Sequence, residues 1–258
     1  MMKQTVLLVD DNPEILEVLG DELSETYEIV TATNGEEALN ILKKIEIAVV
    51  ICDVMMPVMD GFEFCRIVKS NLEYSHFPVI LLTAKNTLQS RIEGLELGAD
   101  AYIEKPFSVE HLLVQVANLI SNRNKLRSYF ALSPLANIKS IAHTQPDENF
   151  LEKLNEVILN NIDDQFLDID KLSKLMNTSR TSLFRKINAI SDLTPNELIT
   201  ITRLKKAAQL LTETDHKIFE IAYMLGFNSQ TSFGRSFYKQ FGMAPTEYQK
   251  QKLKLKDK

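Results

Sequence analysis

Cysteine is scarce in this chain. Cys52 and Cys65 are the two in 258 residues, and both lie inside apolar runs. Two such thiols make no disulfide framework and point to a reduced compartment, the cytoplasm. The four histidines, His76, His111, His143 and His216, stand far apart with no metal-ligand spacing, so no zinc site is expected. Eight glycines and eight prolines are too few for collagen or a low-complexity polymer. No run approaches the ~18–20 apolar residues of a membrane span, and the first residues lack a signal-peptide layout. No membrane contact is therefore expected. What is present is 45% hydrophobic and 25% charged residues, a globular composition with length enough for two domains.

The net charge of -6 hides a division. Residues 1–123 hold 9 Lys and Arg against 20 Asp and Glu, a net of -11, whereas residues 124–258 hold 20 against 15, a net of +5. An acidic front and a basic back suggest partners of opposite charge, a cation for the first and a polyanion for the second.

In the front half, β-branched runs recur at Thr5–Val9, Glu28–Thr31, Ala48–Cys52, Val79–Leu82 and Ala101–Ile103. Three of them are apolar on both faces, as strands of a covered parallel sheet must be. Segments of helical period lie between, with Ile15, Val18, Leu19 and Leu23 on one face and Leu112, Leu113, Val116 and Ile120 on another. This alternation predicts a doubly wound βα sheet that binds ligands at the carboxyl ends of its strands. Asp10 and Asp11 end the first strand, Asp53 the third and Thr83 the fourth, and Lys105 follows the fifth. Three close carboxylates repel unless a cation joins them, and Mg²⁺ suits such hard oxygens. A carboxylate beside Mg²⁺ can attack phosphorus while the metal, a lysine and a hydroxyl neutralise the transferred oxygens.

LLVDDN at 7–12, ICDVMMPVMDGFEF at 51–64, LLTAK at 81–85 and GADAYIEKPF at 98–107 resemble the receiver domain of two-component response regulators. The resemblance implies a flavodoxin-like (βα)5 fold over residues 1–123. It implies that Asp53 accepts a phosphoryl group from a histidine kinase. Asp10 and Asp11 would hold Mg²⁺ with Asp53 and the Met55 carbonyl. Lys105 would pair with the phosphoryl oxygens and Thr83 would hydrogen-bond them. Tyr102 would turn inward with Thr83, and Pro106 matches the family's cis-proline. Cys52 reads as a buried structural thiol, and the Met55–Met56 pair as packing beneath the loop.

Residues 124–148 lose periodicity between Pro134 and Pro146 and read as a linker. Beyond it every apolar pattern is helical. Ile169, Leu172 and Leu175 recur 49 places later as Ile218, Ile221 and Met224, and Thr181, Ser182, Arg185, Pro195 and Glu197 recur 50 places later as Thr231, Ser232, Arg235, Pro245 and Glu247. Such a repeat describes two helix-turn-helix units. The second helices are expected at about 179–189 and 229–240. Arg180, Thr181, Phe184 and Arg185 lie off the apolar stripe of the first, and Gln230, Thr231, Gly234 and Arg235 face outward on the second. Small polar residues with Gln and Arg suit base edges and phosphates in a major groove. A helix of ~17 residues between the units spans ~26 Å, near the ~34 Å between successive groove faces.

NTSRTSLFRKINAISDLTPNELITITRLKKAAQLL and IFEIAYMLGFNSQTSFGRSFYKQFGMAPTEY resemble the AraC-type DNA-binding domain. This implies an all-α, seven-helix domain over 149–252, followed by a basic tail at 253–258. By matching positions, Thr181, Phe184 and Arg185, and then Thr231, Ser232 and Arg235, fall at base- or phosphate-facing places on double-stranded DNA. Phe184 either meets thymine methyls or packs. The whole resembles the C-terminal portion of hybrid two-component sensors, and the doubled Met1–Met2 is compatible with an excised fragment. The expected function is transcription regulation by phosphorylation-promoted homodimerisation, with Arg91, Glu93, Glu96 and Asp100, on the face of the fourth helix, fifth strand and fifth helix, as the charged groups that pair between chains. No enzyme is expected. A phosphatase acting through Asp53 lacks a dedicated base, while a phosphoryl relay or sink acting on proteins alone stays open.

Overall fold

The structure, a computed structural model, describes residues 3–71, 73–84, 97–132, 137–142 and 144–256. The chain divides into two compact units, residues 1–125 with 143–147, and residues 126–142 with 148–258.

The first unit is built on five parallel strands, β1 (Thr5–Val9), β2 (Glu28–Ala32), β3 (Val49–Asp53), β4 (Val79–Thr83) and β5 (Ala101–Glu104), in the order β2-β1-β3-β4-β5. Helices α1 (Pro13–Ser24), α2 (Gly35–Leu42), α3 (Gly61–Ser70) and α4 (Val109–Leu132) cover it. The period of two in the strands divides their side chains between two cores. Leu7, Val9, Val50, Cys52, Val79 and Leu81 pack with Ala38 and Leu42 of α2 and Phe64, Cys65 and Val68 of α3. Val6, Leu8, Val49, Ile51, Ile80 and Leu82 pack with Leu19 and Leu23 of α1 and Leu112 and Val116 of α4. β3 and β4 are buried along their whole length. This is the doubly wound, flavodoxin-like sheet expected from the sequence.

Both cysteines are buried, and burial pushes their thiols up, Cys65 to about 11. Such thiols are inert packing groups. Met56 also packs as expected, but Met55 does not, being 59% exposed.

Among the described residues seven helices follow: α5 (Gln145–Asn160), α6 (Ile169–Leu175), α7 (Arg180–Ser191), α8 (Pro195–Glu213), α9 (Ile218–Met224), α10 (Gln230–Phe241) and α11 (Pro245–Lys256). They enclose two separate cores. The first gathers Leu154, Ile158, Leu172, Leu183 and Ile187, and the second Ile221, Leu225, Phe233, Phe237 and Tyr248. Helix α8 serves both, with Leu198 and Ile199 in the first and Leu204, Ala207 and Leu211 in the second. Its start is fixed by Pro195 and by a capping box between Thr194 and Glu197.

Where it is described, the segment expected as a linker, 124–148, is largely secondary structure. No glycine or proline interrupts Val109–Leu132, so α4 runs on through the start of that segment. A 3-10 turn at Ile138–Ile141 then buries both isoleucines in the first helical core. Helix α11 continues to Lys256, so the tail expected from 253 begins as helix.

Candidate functional site: a buried carboxylate pair and two outward helices

β1 and β3 are neighbours, and the helix that follows β1 covers one face of the sheet while the helix that follows β3 covers the other, so the crevice at their carboxyl ends is the binding place of such sheets. Asp10 follows β1 and is 1% exposed, and Asp53 ends β3 at 6%. Both reach one lysine. Lys105 Nζ stands 2.7 Å from Asp53 Oδ1 and 3.1 Å from Asp10 Oδ2. The second oxygens take backbone donors, Met55 N–H to Asp53 Oδ2 and Asn12 N–H to Asp10 Oδ1, each at 2.9 Å. Asn12 then caps α1 through Glu14 N–H, which fixes the loop after β1.

Lys105 is held from behind. Its own N–H donates to the Thr83 carbonyl at 2.7 Å, and the Lys105–Pro106 peptide bond is cis. Burial works against the Lys105 ammonium, but hydrogen bonds to Asp53 and Asp10 outweigh it and keep its pKa above the ordinary lysine value. Burial also raises the Asp53 carboxyl above its ordinary range, and Lys105 only partly offsets this. A buried acid that resists ionisation beside a charged lysine still lacks positive charge.

Of the three acids expected together, the structure brings two onto Lys105, while Asp11 stands exposed at the mouth. Among the described residues no three His, Cys, Asp or Glu side chains are gathered as a metal cage. Thr83 is fully buried at the end of β4. Tyr102 is half-buried against the α2–α3 core, its hydroxyl buried with no hydrogen-bond partner among the described residues. Its ring thus already lies inward. Asp100, expected to pair between chains, is engaged internally. Its Oδ2 accepts from Lys69 Nζ at 2.5 Å and from Val79 N–H at 2.8 Å. Arg91, Glu93 and Glu96, also expected on that surface, lie outside the described residues.

Sequence reasoning missed Gly61. A Cβ there would overlap the carbonyl oxygen of Asp53 and lie 2.9 Å from Val54 Cα, so only glycine lets α3 start this close to Asp53. The Asp60–Gly61 pair opening an apolar helical run was the available signal.

In the helical unit, Ser179 and Ser229 cap α7 and α10 in the same way, each accepting from the N–H three residues on. Leu183 and Ile187 anchor α7, and Phe233 and Phe237 anchor α10. Thr181, Phe184, Gln230, Thr231, Ser232 and Arg235 are exposed, and Arg185 is half-buried. Arg180 is exposed but engaged, its Nη1 lying 3.3 Å from Asp170 Oδ1. At 19 residues α8 is about 28 Å long.

Comparison with known proteins supports the same division. Residues 6–117 match the response regulator receiver domain, and residues 172–251 match a helix-turn-helix domain. Histidine kinase P4 of Formosa agariphila is 37% identical over 96% of this chain, which spans 18% of that protein. The probable transcriptional regulator ycf27 of Porphyra purpurea is 38% identical over 57% of this chain and 59% of its own length. Among solved structures, the receiver domain of the Francisella response regulator 1452 is 32% identical, covering 46% of this chain and 98% of that one with a TM-score of 0.44. The chain spans less than two thirds of either curated relative.

The chain therefore joins a receiver domain of the response-regulator family to an AraC-type helix-turn-helix domain. Two domain families, matched at 6–117 and 172–251, thus stand in one chain.

Proposed function

We propose that Asp53 is the phosphoacceptor and that its phosphorylation controls DNA binding by α7 and α10. The observation that carries this reading is the buried pair Asp10 and Asp53 sharing Lys105 in the crevice beyond β1 and β3. An Asp53 oxygen forms the new bond to phosphorus as the bond from a kinase phosphohistidine breaks, and the imidazole leaves with the electron pair and takes a proton. Lys105, within reach of Asp53, neutralises a phosphoryl oxygen, and buried Thr83 offers a hydroxyl to another.

The donor set fits Mg²⁺: all are hard oxygens, and one lysine leaves two buried carboxylates underneutralised. Asp10, Asp11, Asp53 and the Met55 carbonyl would hold it. When bound it supplies Lewis-acid stabilisation of charge on the transferred oxygens. The chain is a switch rather than an enzyme in this reading. Phosphorylation promotes homodimerisation, which raises occupancy of DNA in the cytoplasm. The similarity to a histidine kinase over nearly the whole chain favours a kinase on the same parent chain.

The test is incubation of the full chain with a small phosphoryl donor and Mg²⁺, followed by intact mass and by selection from random duplexes. Wild type should gain one phosphoryl group and enrich one sequence more strongly after modification. Phosphate gain by Asp53→Asn, or undiminished gain in chelator, would overturn the acceptor assignment. Enrichment unchanged in the Arg185→Ala, Arg235→Ala double variant would overturn the DNA assignment.

A further inference from the structure

Helix α10 carries a glycine in its interior that nothing among the described residues requires. A Cβ built on Gly234 meets none of their atoms within 4 Å, and its φ lies outside the left-handed region. Most other described glycines have an internal reason. Gly35 and Gly61 are crowded by neighbouring atoms, and Gly98, Gly226 and Gly242 take positive φ. Glycine is the weakest helix former after proline, so an interior glycine without such a reason weakens the helix to no internal benefit. Gly20 in α1 shares this openness, but no repeat supplies a counterpart against which to read it.

Gly234 does have a counterpart. The 50-residue register that aligns Thr181 with Thr231 and Arg185 with Arg235 aligns Phe184 with Gly234. Both positions lie on the outward sides of N-capped helices in equivalent turns. Phe184 is 42% exposed. Gly234 is bordered one turn before by Gln230 and Thr231 and one turn after by Tyr238, all exposed, with Tyr238 at 60%. The two units thus present opposite relief at one place. An aromatic ring projects from the first, and a notch one side chain deep interrupts the second.

We infer that the Gly234 notch seats the 5-methyl group of a thymine on the floor of the major groove, and so makes Gly234 a specificity-determining residue. The inference rests on the DNA-binding reading above. A glycine Cα offers a small apolar surface to the one apolar group that base edges present in that groove. With no Cβ between them, helix backbone and groove floor approach more closely than Phe184 permits in the first unit. The two half-sites therefore differ in sequence although the two helices repeat.

The probe is the duplex enriched by wild-type full-length chain from a random library, remade with each thymine replaced in turn by uracil, which lacks the methyl. Wild type should lose about threefold to tenfold in affinity at one thymine of the half-site protected by α10. Gly234→Ala should keep or raise the unfolding midpoint yet bind the parent duplex at least tenfold more weakly, and it should be insensitive to uracil at that position. Gly234→Leu should bind more weakly still. The inference is overturned if both variants bind the parent duplex as wild type does, or if no uracil in that half-site matters. If wild type enriches no sequence at all, the DNA-binding reading falls first and takes the notch with it.

Discussion

Gly226 and Arg203 interlock. A Cβ on Gly226 would lie 2.6 Å from Arg203 Nη2 and 2.7 Å from the Ile162 carbonyl oxygen. Arg203 is 8% exposed on α8, and it donates from Nε to Ile162 O at 3.2 Å and from Nη2 to Asp164 O at 2.6 Å. Its guanidinium also stands 6.0 Å from the Phe227 ring. One side chain thereby fastens the loop after α5 to the turn between α9 and α10.

Arg203→Met should destabilise the helical unit by about 1–3 kcal/mol, because it strands two partly buried carbonyls that now accept charged hydrogen bonds. Arg203→Lys should not restore it, since one ammonium cannot reproduce the planar fork. Gly226→Ala, at φ 69°, should cost about 1–2 kcal/mol for the left-handed backbone alone. Denaturant unfolding of the three variants measures all of this. Wild-type midpoints in each would show that the joint carries no stability.

Asp53 titrates above the ordinary carboxylate range because burial penalises its charge. A carboxyl with a folded pKa above its unfolded one binds its proton more tightly when folded. Its contribution is thus most favourable below about pH 3.9 and is lost as pH rises through the folded value. In metal-free buffer, Asp53→Asn should raise stability at pH 7, and the gain should fade towards pH 4. Thermal melts of both proteins across that range decide the sign. A variant less stable than wild type at pH 7 would show that the Lys105 pairing outweighs burial.

Gly61→Ala forces a methyl group into the Asp53 carbonyl. Overpacking of that kind should cost about 1–3 kcal/mol. It should also slow phosphoryl uptake by up to ~100-fold, since small misplacements of a reacting group have that effect. Uptake from a small donor at saturating Mg²⁺, compared with the unfolding midpoint, separates displacement from instability. Wild-type uptake would show that α3 can retreat without moving Asp53.

Val58 is a β-branched residue at φ 70° in the loop after Asp53, and it is 76% exposed. The left-handed backbone disfavours it by ~1–2 kcal/mol, and its side chain buries too little to compensate. After allowance for the entropy of glycine, Val58→Gly should stabilise the chain by about 0.5–1 kcal/mol. A lowered midpoint would reveal a packing role for the side chain.

The sheet was legible because its period of two left no freedom. β3 and β4 read as continuous apolar runs, and only a doubly covered sheet buries both faces of such strands. The repeat at 49–50 residues was equally plain, since each unit needs a buried apolar side chain at the same turns, Leu172 and Ile221, Leu183 and Phe233, Ile187 and Phe237. The helical course of 124–132 was less so. Its residues carry no strong stripe, and the absence of any glycine or proline was the sole local sign that α4 would continue.

By itself the sequence determined which strands and helices form, where the acids fall relative to strand ends, and which helix faces stay polar. Those are consequences of period, capping and turn chemistry, which act over a few residues. The tertiary structure decided the rest. It placed Asp10 and Asp53, 43 positions apart, on one lysine while leaving Asp11 exposed. It turned Asp100 inward to Lys69. It also set Gly226 against Arg203, two residues whose proximity no local pattern encodes. Such contacts depend on strand order and on atoms meeting across elements, and these are fixed when the chain packs.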